Sequence, residues 1–252
     1  PWVAIPRRVQ GVWPLAGLVL GLLLRGGSSD AVVQKGLARR ILNTLTGLGP
    51  CFIKLGQALS TRPDLVRRDW LEELTRLQDD LPAFSHATAL ACIRKELGAP
   101  AEELFEEFPD TPIAAASLGQ VYKARLQGQQ WVAVKVQRPN LTFILRRDLV
   151  LIRALGVMTA PLLPLNLGFG LGGIIDEFGR SLFEEIDYGL EAANAERFSA
   201  LFADNDAVYI PKVERMLSST RVLTTTWIDG AKMRDSEELQ ALRLDPAALI
   251  RT

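Results

Sequence analysis

The amino-acid sequence predicts an α+β fold, in which a small antiparallel sheet follows a long helical region. Two observations support this prediction. Residues 121–126 are rich in strand formers, Gly128 lies in a four-residue connection, and residues 131–137 alternate valine with other side chains, which together indicate a β-hairpin. Residues 31–60 and 174–203 instead repeat apolar side chains every three or four positions, as amphipathic helices do.

Composition narrows the classes of function. The 252 residues suffice for one large domain or two small ones. The 29 basic residues balance the 29 acidic ones, so no nucleic-acid partner or polybasic membrane surface is indicated. Cys51 and Cys92 form no C-x-x-C motif, which favours a reduced intracellular compartment. His86 is the only histidine, so we expect no metal site and an ordinary surface position for His86.

The first 25 residues are apolar, with three arginines as their only charges. The uncharged run at residues 9–24 is shorter than the ~20 residues that a membrane-spanning helix needs. Pro14 interrupts this run. The pattern therefore favours a buried or interfacial amphipathic helix over a membrane span.

Further helices are expected along the chain. Asp30 is placed to cap a helix that starts at residue 31, and Gly49 and Pro50 should divide the region 31–60 into two helices. Later helical patterns cover residues 85–107, 141–158 and 174–203, with a loop rich in proline and glycine before the last of them.

Lys135 stands in the middle of the second hairpin strand, on the face opposite the valines. A lysine buried there would cost several kcal/mol unless a carboxylate or a phosphate met it. In the predicted helix at residues 174–203, Glu184, Asp187 and Glu191 share one stripe, and Phe178, Leu182, Ile186 and Leu190 share an apolar one. Taken alone, the acidic stripe could be a solvated face.

Two more segments look like strands, residues 209–213 and 221–227. With the hairpin and one strand before it, they would form a five-stranded antiparallel sheet.

The stretch A-A-A-S-L-G-Q-V at residues 114–121, followed by V-A-V-K, resembles the nucleotide-binding hairpin of protein kinases. In kinases, V-A-x-K follows G-x-G-x-x-G-x-V. The glycine positions fall here on Ala114, Ala116 and Gly119, and the valine falls on Val121. Alanine lacks the freedom of glycine at positive φ, so this loop should be stiffer than a kinase loop.

Two further motifs extend the resemblance. K-x-G-Q occurs at residues 54–57, before L-S-T-R-P-D-L, and E-x-D-Y-x-x-E-A occurs at residues 185–192. With the alanine-rich loop they identify the chain as a member of the UbiB (AarF, ADCK) family of atypical kinase-like proteins. On its own segment, Lys54 could be a solvated helix lysine.

This resemblance implies a kinase-like N-lobe with an all-helical N-terminal extension. The extension would cover residues 1–108, and the N-lobe residues 109–232 with a helical insertion at about 140–173. Residues 233–252 would begin the C-lobe. The H-x-D and D-F-G motifs of kinases do not occur after the hairpin, so the chain is expected to be a fragment without a C-lobe and to be inactive by itself.

The resemblance also assigns site residues. Lys135 and Glu191 would position nucleotide phosphates, and Lys54 would meet Glu185 or Asp187 and close the cleft. The regulatory K-x-G-Q residues would be Lys54, Gly56 and Gln57. The residues implied to contact the nucleotide are Ala114, Ala115, Ala116, Ser117, Gly119, Val121, Ala133, Lys135, Thr226, Trp227 and Ile228.

The implied ligand is ATP or ADP with Mg²⁺, whose protein ligands are expected beyond residue 252. The implied activity is ATP hydrolysis that supports ubiquinone or other prenylquinone metabolism, at a bacterial inner membrane or an organelle membrane. Lipids or proteins of that pathway would be partners. Two alternatives stay open: a pseudokinase-like module that binds a lipid or a partner, and a small-molecule phosphotransferase. The K-x-G-Q helix argues against the latter, since such kinases leave the acceptor side open.

Overall fold

The computed structural model describes residues 30–63, 66–78, 82–159, 171–231 and Leu239. The helices are α1 (Ala31–Leu48), α2 (Pro50–Ser60), α3 (Arg68–Leu74), α4 (His86–Leu97), α5 (Ala101–Leu104), α6 (Leu141–Thr159), α7 (Leu171–Glu185) and α8 (Tyr188–Leu201). The strands are β1 (Ala114–Ala115), β2 (Gly119–Arg125), β3 (Trp131–Gln137) and β4 (Val222–Thr226). Short 3₁₀ turns cover Thr75–Gln78 and Arg215–Leu217.

The sheet has the strand order β1-β2-β3-β4. β3 occupies the seven residues that the alternation predicted, and it pairs antiparallel with β4, with Lys135 opposite Leu223. The three valines of β3 are fully buried, whereas Ala133 and Lys135 on the other face are partly exposed. Positive φ at Gly128 and Gln129 turns the chain between β2 and β3. The α+β fold class predicted from the sequence is therefore confirmed.

The predicted strand at residues 209–213 is wrong. Among the described residues this segment contributes a single bridge, between Val213 and Thr225. Pro211 has no backbone N–H to donate, so the segment cannot complete a ladder along β4. The sheet accordingly has four strands within the described residues rather than the predicted five.

The single long helix predicted over residues 174–203 is also wrong. α7 ends at Glu185 and α8 begins at Tyr188. Between them Asp187 is extended, and its Oδ1 accepts hydrogen bonds from the backbone N–H groups of Gly189 and Leu190. Asp187 is thus an N-cap rather than an interior residue. The acidic and apolar stripes predicted for one continuous helix therefore do not form across Asp187, and Leu190 of the apolar stripe is 46% exposed.

The helix boundaries near the N-terminus follow the expected signals. Oδ1 of Asp30 accepts a hydrogen bond from the N–H of Val32, 2.8 Å away, and so caps α1. Gly49 has a φ of 107°, and Pro50 then starts α2 at a position where its missing N–H costs nothing. Residues 9–24, 160–170 and 240–252, which carry other predictions, lie outside the described residues.

The chain forms two compact units. The first combines Pro1–Phe84, Ala114–Gln120 and Arg138–Ile186, and its described core includes Leu45, Phe52, Leu74, Leu145 and Leu182. The second combines Ser85–Ile113, Val121–Gln137 and Asp187–Thr252, and buries Tyr188, Ala192, Val213 and Leu223 together.

His86 is not the ordinary surface histidine that the sequence suggested. Its ring packs beside those of Phe108 and Tyr122, with centroids 5.9 Å and 6.2 Å away. Its Nε2 atom lies 3.4 Å from Oδ1 of Asp110. The imidazole thus packs at the start of α4 against aromatic rings from other segments. The local helix-start pattern in the sequence could not reveal these contacts.

Candidate functional site

Lys135 of β3 forms an ion pair with Glu191 of α8. The Nζ atom of Lys135 is 2.7 Å from Oε2 and 3.0 Å from Oε1 of Glu191. Their side chains are 34% and 43% exposed, so solvent screens the pair and it adds little to stability. The contact predicted from the sequence is present. Because an ammonium group has three N–H donors, the two contacts with Glu191 use at most two of them.

Tyr188 fixes the start of α8 and therefore the position of Glu191. Its backbone N–H donates to the carbonyl of Thr220 over 3.1 Å, and its ring is fully buried. The Nζ atom of Lys135 lies 4.6 Å from the centroid of this ring, a cation–π distance. The tyrosine of E-x-D-Y-x-x-E-A is thus a second neighbour of the lysine, which the sequence analysis missed although the motif contains it.

The alanine-rich loop precedes β2 and includes β1. Ala114 and Ala116 are exposed, Ala115 is partly exposed, and Ser117 and Gly119 are buried. Of the described non-glycine residues, Gln129 and Asn140 alone have positive φ, so the alanines adopt ordinary backbone angles. The loop therefore takes a conformation that needs no glycine at these positions.

Val121 of β2 and Ala133 of β3 are partly buried side chains on the face of the sheet that carries Lys135. Ala133 is two residues before Lys135 on β3, so the two side chains share one face of the sheet. Val121 is on β2 in the alternation that leaves Tyr122 and Ala124 buried on the other face. An apolar surface of this kind can pack against a flat ring.

Thr226, the last residue of β4, and the two residues after it were expected to contact the nucleotide. Thr226 pairs with Val132, and the N–H of Trp227 donates to the carbonyl of Trp131 over 3.0 Å. Ile228 follows, with its side chain 44% exposed. The backbone of Trp227 is thus tied to β3.

Lys123 is a residue of this region that the sequence analysis missed. Its Nζ atom lies 4.6 Å from the ring centroid of Trp227, 5.2 Å from that of Trp131 and 3.8 Å from Oδ1 of Asp229. The same carboxylate oxygen accepts a 2.6 Å hydrogen bond from the indole N–H of Trp227. The period of two along β2, counted from Val121, places Lys123 on this face and could have found it.

Within the first unit, Lys54 of α2 forms an ion pair with Glu185, the last residue of α7. The lysine side chain is 21% exposed and the glutamate 46%. This is one of the two predicted contacts. Asp187, the other predicted partner, uses its carboxylate to cap α8.

Gly56 and Gln57 of the K-x-G-Q motif have packing roles in the structure. A Cβ atom on Gly56 would collide with the side chain of Leu77 and lie 2.9 Å from Cδ1 of Leu45. The Nε2 atom of Gln57 donates to the carbonyl of Leu77 over 2.7 Å. Gly56 and Gln57 thus hold the 3₁₀ turn at Leu77 against α2, and Lys54 of the same motif forms the ion pair with Glu185.

Residues 76–252 match the family model described as the ABC1 atypical kinase-like domain. The chain belongs to the ABC1 atypical kinase-like family. The resemblance to UbiB, AarF and ADCK proteins is thereby confirmed. The match covers the hairpin, the E-x-D-Y-x-x-E-A motif and β4, and lies outside the K-x-G-Q helix.

Two curated relatives are longer than this chain. An uncharacterized protein of Synechocystis sp. is 46% identical over 253 residues, covering 100% of the chain and 44% of the relative. The protein ACTIVITY OF BC1 COMPLEX KINASE 1, chloroplastic, of Arabidopsis thaliana is 43% identical over 246 residues, covering 96% and 36%. The chain spans less than half the length of these relatives.

A solved structure described as the complex structure of Rv3197-erythromycin from Mycobacterium tuberculosis is also similar. It shares 34% sequence identity with a TM-score of 0.51, over 71% of this chain and 44% of that chain. The likeness supports the kinase-like architecture of the ABC1 family.

The described part of the chain contains no group of three His, Cys, Asp or Glu side chains that could hold a metal ion. The Mg²⁺ ligands predicted beyond residue 252 therefore stay a prediction. No helix within the described ranges is both long and apolar enough to cross a bilayer.

Proposed function

We propose that this chain is the nucleotide-binding part of an ABC1-family atypical kinase or ATPase. The observation that carries the proposal is the two-oxygen ion pair between Lys135 and Glu191. In kinases, a lysine on the equivalent strand pairs with a helix glutamate and contacts nucleotide phosphates. Lys135 would contact the α- and β-phosphates of ATP or ADP, and Glu191 would hold its ammonium in place.

The other proposed contacts follow from their positions. Backbone groups of Thr226 to Ile228 would hydrogen-bond adenine, and the apolar side chains of Val121 and Ala133 would pack against its ring. The loop at residues 114–119 would lie next to the phosphates. Mg²⁺ would neutralise phosphate charge, and we propose that its ligands lie beyond residue 252, so residues 1–252 alone should not hydrolyse ATP.

We further propose a role in ubiquinone or other prenylquinone metabolism at a membrane, with lipids or proteins of that pathway as partners. The family resemblance supports this role. The Arabidopsis thaliana relative is named chloroplastic, which supports an organelle as the location. A bacterial inner membrane is the alternative that the family resemblance implies.

Calorimetric titration of the full-length gene product with ATP, ADP and GTP, each with Mg²⁺, tests the proposal. We expect saturable binding of ATP and ADP below about 1 mM, the upper end of usual enzyme affinities, and weaker binding of GTP. Absence of saturable binding by both adenine nucleotides would overturn the nucleotide-binding function.

The second candidate function is a pseudokinase-like module that binds a small molecule, a lipid or a protein partner. Two observations favour it: the similar solved structure is described as a complex with erythromycin, and the backbone N–H of Ala116 is already bonded to Gly119. ATP turnover by the full-length gene product separates the two functions. Steady hydrolysis favours the enzyme, whereas nucleotide binding without turnover favours the module.

A further inference from the structure

Arg138, the residue that follows β3, reaches back to the alanine-rich loop. Its Nε atom donates to the carbonyl of Ala116 over 3.0 Å, and one terminal nitrogen donates to the carbonyl of Pro82 over 2.9 Å. Its guanidinium also lies 5.6 Å from the ring centroid of Phe84. The Arg138 side chain is only partly exposed, and this burial lowers the pKa of its guanidinium. One side chain thus joins the loop to the segment at residues 82–84.

Gln120 makes a second connection between the same two segments. This side chain is fully buried. Its Oε1 accepts a 3.0 Å hydrogen bond from the N–H of Phe84, and its Nε2 donates to the carbonyl of Phe84 over 3.4 Å. The loop is therefore held at both ends, at Ala116 by Arg138 and at its last residues by Gln120.

Backbone groups of the loop also form hydrogen bonds with other backbone groups of the protein. The N–H of Ala116 donates to the carbonyl of Gly119 over 2.8 Å, and the N–H of Arg138 donates to the carbonyl of Leu118 over 2.9 Å. Both backbone groups of Ala116 are thus occupied. Phosphate-binding loops instead turn their free N–H groups toward the ligand. In this conformation the N–H of Ala116 is bonded within the loop, and the carbonyls of Ala116 and Leu118 both accept hydrogen bonds from Arg138.

We propose that Arg138 is a positioning residue, which holds the alanine-rich loop against residues 82–84 and thereby sets the affinity for the phosphate chain of a nucleotide. This proposal rests on the proposed function, since it takes the loop to lie beside the phosphates. Arg138 itself contacts carbonyl oxygens in the structure and acts through Ala116.

The geometry distinguishes arginine from other cations at this position. The planar guanidinium donates to two carbonyls at once and also stacks near Phe84, whereas a lysine ammonium is a compact charge without the fork. Arg138→Lys should therefore keep the charge and lose part of the connection. Arg138→Gln should lose both.

Two measurements on the full-length gene product test the proposal. Hydrogen exchange of the backbone amides at residues 114–120 should become about tenfold faster in Arg138→Gln, as expected for loss of a charge-assisted hydrogen bond, and less so in Arg138→Lys. ATP affinity should fall about fivefold in Arg138→Gln while adenosine affinity stays unchanged, because adenosine has no phosphates. Arg94→Gln, at an exposed arginine of α4, is the matched control and should change neither quantity.

The two measurements test separate parts of the proposal, the connection made by Arg138 and its effect on phosphate affinity. Unchanged exchange at residues 114–120 in both Arg138 variants would overturn the connection itself. Faster exchange with unchanged ATP affinity, or an equal loss for ATP and adenosine, would overturn the effect on phosphates. If the parent binds no nucleotide, the proposed function and the phosphate effect both fail, while the exchange data still decide the connection. If Arg138→Gln does not fold, Arg138→Lys provides both readouts.

Discussion

The ammonium of Lys135 lies within hydrogen-bonding distance of both carboxylate oxygens of Glu191, 56 residues further along the chain. The two residues lie in a strand and a helix that form for independent local reasons. Strand alternation places the lysine opposite the valines, and the Asp187 cap starts the helix that carries the glutamate. Because both side chains are partly exposed, the ion pair contributes little to stability, and a role in function explains its presence better.

The ion pair between Lys54 and Glu185 should matter for activity more than for stability. Lys54→Met and Glu185→Gln should each cost less than about 1 kcal/mol of unfolding free energy, because the pair is partly exposed. In the full-length gene product the two changes should alter ATP turnover in the same direction and non-additively. Urea unfolding and a double-mutant cycle on turnover measure these effects.

Arg153→Gln provides the control for this prediction. Arg153 pairs with Asp176 between α6 and α7 of the same unit, and both side chains are about half exposed. It should leave turnover unchanged. Additive effects of the Lys54 and Glu185 changes would show that the two side chains act separately.

Gly56→Ala should destabilise the first unit by about 1–3 kcal/mol, because the added methyl would meet Leu77 and Leu45 in a packed core. Thermal unfolding followed by circular dichroism measures the loss. Gly36→Ala is the matched control within α1, since a Cβ there meets nothing within 4 Å, and it should be neutral or slightly stabilising. Equal melting temperatures for Gly56→Ala and the parent would show that the close approach at Gly56 is easily relieved.

Sequence and structure agree best where the signal is local. The seven residues of β3 were predicted to the residue, because a period of two is specific to strands. Asp187 was misassigned, since an aspartate within a helical pattern can be an interior residue or an N-cap, and the choice depends on the hydrogen bonds to Gly189 and Leu190. The fifth strand failed for a different reason: Pro211 lacks the backbone N–H that a continuous pairing with β4 needs, and the strand prediction did not take this into account.

The site shows the same limit over longer distances. Lys54 and Glu185 are 131 residues apart, and family motifs rather than spacing brought them together in the prediction. Arg138 carries no local pattern that distinguishes it from a solvated cation, and the strand period that places Lys123 on one face of β2 does not reveal which rings it contacts. Their importance depends on rings and carbonyls contributed by other segments, at Trp227 and at Ala116.

Stability should depend on pH through Asp148. Burial raises the pKa of this carboxyl above its ordinary value, and burial outweighs the opposing hydrogen bond and charge of Arg147. A raised folded-state pKa gives a contribution that is complete below the ordinary pKa of about 3.9 and is lost as pH rises through the folded-state value. Asp148→Asn removes this loss.

The free energy of unfolding of Asp148→Asn, relative to the parent, should therefore increase from about pH 4 upward. Urea unfolding across that range measures it. Asp176→Asn, at an exposed carboxylate on α7, is the control and should show no such increase. A relative stability of Asp148→Asn that is constant or falls as pH rises would show that Arg147 dominates.

The most direct measurement is the ATP affinity of the full-length gene product with Lys135 and Glu191 replaced singly and together. Lys135→Met should weaken ATP binding at least about tenfold, as expected for removal of a charge-assisted contact to phosphate, and should leave adenosine binding unchanged. Glu191→Gln should weaken ATP binding less, and adding it to Lys135→Met should cost little more, because the glutamate acts through the lysine. Lys95→Met, at an exposed lysine of α4, should bind ATP as the parent does. If folded Lys135→Met binds ATP as tightly as the parent, Lys135 does not contact the phosphates and the account of this site is wrong.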